Sequence, residues 1–228
     1  MMIRRPRDPG SARPEKSRRP IRRLRDLATD RHGVAMIEFA LVLPVLLVLL
    51  LVGAELVNAV ENRRKVVQLA RTLADLTSLG DATNPVTAAT MSNIFDSSSV
   101  VLAPFSATGV QMKVSAVGIP LVGSLTSAFV CSSAARNATR RSRGATADIA
   151  VPAQYQFNGA RWIYAEVTMS YQPILGATPM ALLPGLSTAF QWTETVSWAV
   201  RGGAAVTPNT QLEVVLPGGA ACPATFAG

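Results

Sequence analysis

The chain has 228 residues, of which 49% are hydrophobic, and a formal net charge of +8 at pH 7. Residues 1–33 hold eleven Lys/Arg against four Asp/Glu, so the rest of the chain is almost neutral. This distribution excludes a basic face for DNA on the body of the protein. It predicts a basic tail attached to a neutral body.

Residues 1–33 form a leader that is rich in Arg and Pro and poor in large apolar side chains. Such a composition cannot bury enough apolar surface to fold alone, so we expect the leader to be disordered. Arginine blocks bind nucleic acid or anionic lipid in some proteins. Directly before an apolar run, however, their commoner role is to keep that end of the chain in the cytoplasm. We therefore expect no nucleic-acid partner.

Residues 34–56 are predicted to form a transmembrane helix. From Val34 to Ala54 the only charged side chain is Glu38, and about 20 apolar residues span a hydrocarbon core of roughly 30 Å. Seven Lys/Arg lie within 20 residues before this run, and four lie within 20 residues after it. The bias predicts a single pass with the N-terminus in the cytoplasm and the C-terminal part outside.

Residues 57–80 are predicted to extend this helix as an amphipathic segment that ends at Gly80. Apolar residues recur there at three- and four-residue steps between charged ones, which is typical of a helix with one buried face. The predicted buried face consists of Val60, Val66, Val67, Ala70, Leu73, Ala74 and Leu76. We expect this face to pack against a globular domain.

Residues 81–228 are predicted to form an extracytoplasmic domain with an antiparallel β-sheet, which makes the fold class α+β. Apolar and polar residues alternate in segments 109–117, 161–173 and 190–201, as expected for strands with one buried face. Segment 132–154 is polar and is interpreted as a loop. Its arginines, Arg140, Arg141 and Arg143, either bind an anionic partner or are solvated.

Cys131 and Cys222 are the only cysteines. Outside the bacterial cytoplasm such a pair most often forms one disulfide, which would stabilise the fold by a few kcal/mol. The only histidine, His32, lies in the leader, so no metal site is expected. No catalytic constellation or cofactor-binding motif is recognisable, and we expect the protein not to be an enzyme.

The start of the apolar run carries a specific motif. Gly33 is followed by four residues and then by Glu38 and Phe39, behind a basic leader. This is the pattern of a class III, prepilin-type signal. More narrowly, residues 30–79 resemble the TadE-like family of pilin-like proteins from the tight-adherence (Flp) pilus machinery. The family pattern is matched at Gly33, Glu38, Phe39, Ala40, Leu41, Leu43, Pro44 and Glu55.

The resemblance implies a processing event and a partner for Glu38. A prepilin peptidase in the bacterial inner membrane would cut between Gly33 and Val34, which makes Glu38 the fifth mature residue. In pilins the corresponding carboxylate pairs with the N-terminal amine of a neighbouring subunit, and the two charges offset each other in lipid. The implied function is that of a minor pseudopilin, or pilus assembly component, with a pilin-like fold and a periplasmic domain. Its partners would be other pilin-like subunits and pilus assembly proteins, with incorporation into a pilus as one outcome.

Three alternatives stay open at this point. The protein could be an uncleaved single-pass scaffold anchored in the inner membrane. Val52, Gly53 and Ala54 also fit the small-residue rule of an ordinary signal peptidase, whose cut would release a soluble periplasmic protein. Finally, Glu38 could simply extend its carboxylate to the cytoplasmic headgroups, since it lies only one turn inside the run.

Overall fold

A computed structural model describes residues 31–80, 86–173, 190–206 and 211–223 of the chain. The predicted leader, residues 1–33, therefore lies almost entirely outside the described residues. The chain divides into two compact units, Met1–Leu49 and Leu50–Gly228. Helix α1, Arg31–Ser78, begins in the first unit and ends in the second.

In the first unit the helix is apolar and unburied. The large apolar side chains from Val34 to Leu49 are all exposed or, at Val48, half-buried, and Pro44 lies inside the helix. The part of α1 that begins at Gly33 is long and apolar enough to cross a membrane. An apolar helix that no other described part of the chain covers favours membrane anchoring.

In the second unit one face of α1 is buried. Its buried positions recur at three- and four-residue steps, which places them on one side of a helix. They are Val52, Glu55, Ala59, Asn62, Val66, Leu69, Ala70, Leu73, Ala74, Thr77 and Ser78. The predicted face was partly wrong, because Val60 and Leu76 are exposed. Two polar residues, Glu55 and Asn62, interrupt the true stripe and concealed its position.

A five-stranded antiparallel sheet follows, with the strand order β3-β2-β1-β4-β5. The strands are β1 Gln111–Gly118, β2 Ala128–Arg136, β3 Gly144–Thr146, β4 Arg161–Tyr171 and β5 Phe190–Ala199. A separate ribbon pairs β6, Ala204–Val206, with β7, Gln211–Glu213. Two short helices, α2 Ala88–Asp96 and α3 Ser98–Val101, precede the sheet, and a 3-10 turn spans Ala153–Tyr155.

The alternating segments predicted as strands are β1, β4 and β5, which lie next to each other in the sheet. Val114 of β1 is opposite Ala165 of β4, which is in turn opposite Val196 of β5. These side chains belong to the core that also contains Leu69 and Leu73 of α1. The predicted α+β plan, a long apolar helix followed by an antiparallel sheet, is confirmed.

The predicted loop over residues 132–154 was wrong in part, because residues 132–136 belong to β2 and residues 144–146 to β3. Small polar residues misled the prediction. Ser132 and Ser133 are buried, and the Ser133 hydroxyl lies 3.0 Å from that of Ser115 on the neighbouring strand. A serine whose hydroxyl is paired across strands is buried at little cost, so a strand of this kind has no apolar alternation.

The other face of the sheet carries a second, smaller core at one end. It contains Val117, Ile119, Val130, Ile149 and Trp162 with a few smaller residues. The ring of Tyr155 stacks on that of Trp162 with centroids 5.1 Å apart. The sheet is therefore covered on both faces at this end, which the single-sided strand pattern did not predict.

The C-terminal segment is fastened to β2. The predicted disulfide between Cys131 and Cys222 is present, with Cα atoms 4.8 Å apart and a sequence separation of 91 residues. The amide of Leu216 donates a hydrogen bond of 3.0 Å to the Ser132 hydroxyl. The disulfide and this bond hold the segment after β7 on the sheet.

Candidate functional site

The residues predicted for processing and assembly lie on α1 in the first unit. The side chains of Val34, Glu38 and Phe39 are exposed, and a methyl group added at Gly33 would meet no atom within 4 Å. The structure therefore leaves this stretch accessible to a peptidase or to a neighbouring helix. Cleavage after Gly33 and pairing of Glu38 with an amine stay predictions.

A second charged residue of the motif, Glu55, is buried rather than exposed. Its Oε2 atom accepts a hydrogen bond of 2.8 Å from the hydroxyl of Tyr171. Tyr171 is the last residue of β4, 116 residues further along the chain. The family motif located Glu55 but gave no partner for it. The contact ties the sheet to the helix just beyond the uninterrupted apolar run.

Aromatic side chains gather around this contact. The ring centroid of Tyr171 lies 6.1 Å from that of Phe105 and 6.4 Å from that of Phe190, and Phe190 stacks on Trp192 at 5.6 Å. The guanidinium of Arg63 lies 5.7 Å from the Trp192 centroid. We call these four rings the exit cluster. It brings two amphipathic side chains, Tyr171 and Trp192, together with two phenylalanine rings, close to the turns of α1 that follow the apolar run.

Asn62, two turns beyond Glu55, is a buried amide with poor partners. Its Nδ2 atom contacts the sulfur of Met169 at 3.6 Å, and its Oδ1 atom has no hydrogen-bond partner among the described residues. The residue lines a cleft of about 610 Å³ whose described lining of amides, hydroxyls and rings includes no charged side chain. Asn62 is therefore, like Glu55, a polar residue in the mainly apolar buried face of α1, close to the exit cluster.

The C-terminal end of α1 is held by the segment after β5. The carbonyl of Ser78 accepts hydrogen bonds from the amides of Arg201 and Gly202, at 3.0 and 2.8 Å. The Asp75 carboxylate accepts bonds from the Trp198 indole, at 3.0 Å, and from the Arg201 guanidinium. Any side chain at Gly202 would approach the Gly80 carbonyl oxygen to 2.3 Å, so glycine is required there. These bonds satisfy a helix end that would otherwise be orphaned.

Two of the three arginines of the central loop, Arg141 and Arg143, have structural partners. Arg141 donates to both oxygens of Glu166, at 2.7 and 2.9 Å, and to Asp148 at 2.5 Å. The bonds to Glu166, followed by those to Asp148, raise the pKa of Arg141, and the bond from Arg141 lowers the pKa of Asp148. Arg143 donates to the Ala221 carbonyl at 2.6 Å. Arg141 is thus neither a solvated residue nor a free anion ligand.

A buried ion pair, which the sequence did not predict, lies beside the disulfide. Arg161, the first residue of β4, has its Nε atom 3.5 Å from Oε2 of Glu213 on β7. Burial lowers the pKa of Arg161, and the charge of Glu213 counteracts part of this effect. Glu213 also accepts a bond of 2.5 Å from the Cys222 amide. The Cys131 and Cys222 sulfurs lie within 4.8 Å of a Glu213 oxygen. Because the two sulfurs are joined in a disulfide, neither is a thiolate that could bind a metal ion.

Comparison with known proteins supports the motif at the start of α1. Residues 33–75 match the TadE-like protein family, within the range of 30–79 that the sequence pattern predicted. The match covers the apolar run, Glu55 and most of the buried stripe. Comparison with curated proteins and with solved structures gave no match.

Proposed function

We propose that the protein is a minor pseudopilin, or an assembly component, of a tight-adherence type IV pilus or a related secretion system. The carrying observation is the match of residues 33–75 to the TadE-like family, which suggests a role in tight-adherence pilus assembly. The exposed apolar helix supports membrane anchoring. In this proposal the protein acts by binding and does not catalyse a reaction.

The proposal places the protein as a single pass in the bacterial inner membrane, with the sheet domain in the periplasm. The excess of basic residues before the apolar run favours this orientation. Four cations follow the run within 20 residues, against seven before it, so the bias keeps this direction. In this orientation the disulfide between Cys131 and Cys222 lies in the periplasm, where oxidising conditions preserve it.

The position of the mature N-terminus tests the proposal directly. We expect protein extracted from the membranes of its native cells to begin at Val34, because the peptidase would cut after Gly33. Edman degradation or mass spectrometry of the N-terminal peptide measures this. A chain that begins at Met1 would support the uncleaved scaffold. A chain that begins at Glu55 would support secretion, although the helix continues through residues 54 and 55 without a break.

A second prediction concerns Glu38. The variant Glu38→Ala is expected to insert into the membrane normally but to enter the pilus apparatus at below about a tenth of the wild-type level, because the N-terminal amine of its neighbour loses its buried partner. Co-purification with the assembled apparatus measures incorporation, and membrane fractionation measures insertion. Glu61→Ala, a change of the same type beyond the apolar run of α1, is the matched control. Equal incorporation of both variants would exclude the pairing.

A further inference from the structure

The face of α1 that points away from the sheet stays apolar past Glu55. Leu56, Val57 and Val60 are 46%, 68% and 52% exposed, whereas Ala59 in the same turn is 3% exposed. All of these residues belong to the second unit, where apolar side chains of the helix are otherwise mostly buried. A folded domain in water gains nothing from presenting three adjacent large apolar side chains. This patch, Leu56, Val57 and Val60, is named the outer patch.

Polar features of the kind found at membrane interfaces adjoin the outer patch. Arg63 and Arg64 follow Val60 within about one turn, and their side chains are largely exposed. Long cationic side chains at such positions extend toward lipid phosphates while their stems cover apolar surface. Trp192 and Phe190 of the exit cluster stack beside Arg63. Tryptophan side chains such as that of Trp192 concentrate where hydrocarbon meets the headgroups.

We propose that the outer patch lies in the phospholipid interface, so that lipid contact continues along one face of α1 to Val60. The inference rests on the proposed membrane anchoring and deepens it. Because the opposite face of the same turns is buried by the sheet domain, the domain would rest against the membrane surface. It would not be held above the surface by a free helical stalk. On the face of α1 away from the sheet, lipid contact would then extend beyond residue 56, the predicted end of the membrane segment.

Lipid fits the outer patch better than a second copy of the chain does. Within the second unit, Leu50 and Leu51 of the same helix are also exposed, less than two turns before the patch. It consists of only three side chains, whereas a stable protein interface buries about 800 Å² per partner. Charged residues border it at Glu61, Arg63 and Arg64, as expected where a lipid-facing surface meets the headgroups.

Fluorescence quenching in vesicles tests the proposal on the full chain. Single cysteines are introduced as Val57→Cys, Val60→Cys, Gln68→Cys and Leu46→Cys, and each is labelled with a small fluorophore. The native cysteines, Cys131 and Cys222, are joined in a disulfide and do not compete for the label. The vesicles contain phosphatidylcholine and phosphatidylglycerol, at a high lipid-to-protein ratio. Lipids brominated near the headgroup and iodide in the buffer serve as the two quenchers.

Labels at positions 57 and 60 are expected to be quenched by the brominated lipid, with iodide quenching reduced about threefold relative to position 68. Gln68 is the matched control, since it is exposed on the same side of the helix two turns further on. If positions 57 and 60 behave like position 68 while position 46 is protected from iodide, the proposal is wrong and the anchoring stands. If iodide quenches position 46 as strongly as position 68, the anchoring itself is wrong. Protection of positions 57 and 60 from both quenchers would mean that protein covers the patch, which also overturns the proposal.

Discussion

Replacing Glu213 by alanine is expected to destabilise the sheet domain by about 3–5 kcal/mol, which is the range for removing one partner of a buried ion pair. The side chains of Arg161 and Glu213 are only 2% and 7% exposed. Without Glu213 the guanidinium keeps bonds to the carbonyls of Ile119, at 2.7 Å, and Ala160, at 3.0 Å. Carbonyl dipoles do not replace a full opposite charge in a dry site. Urea unfolding of the full chain in detergent micelles, followed by tryptophan fluorescence, measures the change.

Two comparisons make this prediction specific. Glu194→Ala breaks the exposed pair with Arg63 and is expected to cost no more than about 1 kcal/mol. The double variant Arg161→Met with Glu213→Leu removes both charges and is expected to recover most of the stability lost by Glu213→Ala, since an apolar pair of similar volume often replaces a buried ion pair without loss. If Glu213→Ala costs no more than Glu194→Ala, the buried charge is not what holds β7 to β4.

The ion pair also shows where reasoning from the sequence ends. Arg161 precedes an alternating segment that was correctly predicted as a strand, and nothing in that segment indicates a buried charge. Glu213 lies in a short strand far along the chain. Their meeting depends on how the C-terminal segment returns to the sheet, which local patterns do not encode. The disulfide was predictable because the chain has only two cysteines, so no choice of partner was left.

The helix and the sheet illustrate the same division. The apolar run of α1 was predictable because a membrane-spanning helix needs apolar residues on every side. Strands β1, β4 and β5 were predictable because apolar and polar residues alternate along them. Strand β2 was not, because its buried positions include Ser132 and Ser133. At the candidate site the motif singled out Glu38, for which it implies a role in assembly, and Glu55. The partner of Glu55, Tyr171, comes from the end of a distant strand and could be found only in the fold.

The buried stripe of α1 leads to the second large effect. Leu73→Ala is expected to destabilise the sheet domain by about 2–5 kcal/mol, the usual cost of truncating a core leucine. Leu73 is fully buried in the core that contains Val114, Ala165 and Val167. Leu76→Ala is the matched control, because it makes the same change three residues further on, at a side chain that is 38% exposed. It is expected to cost less than about 1 kcal/mol.

The pair of leucine variants separates the two tasks of one helix. Membrane insertion depends on the apolar run before Glu55, so both variants should fractionate with membranes as the wild type does. Hydrogen exchange in β4 and β5 should speed up only in Leu73→Ala, because that residue joins the helix to the sheet core. Equal effects of the two variants would mean that α1 packs by the face first predicted from the sequence, with Leu76 inside. A selective effect of Leu73→Ala would instead show that α1 packs on the sheet by the face that contains Leu73, with Leu76 outside.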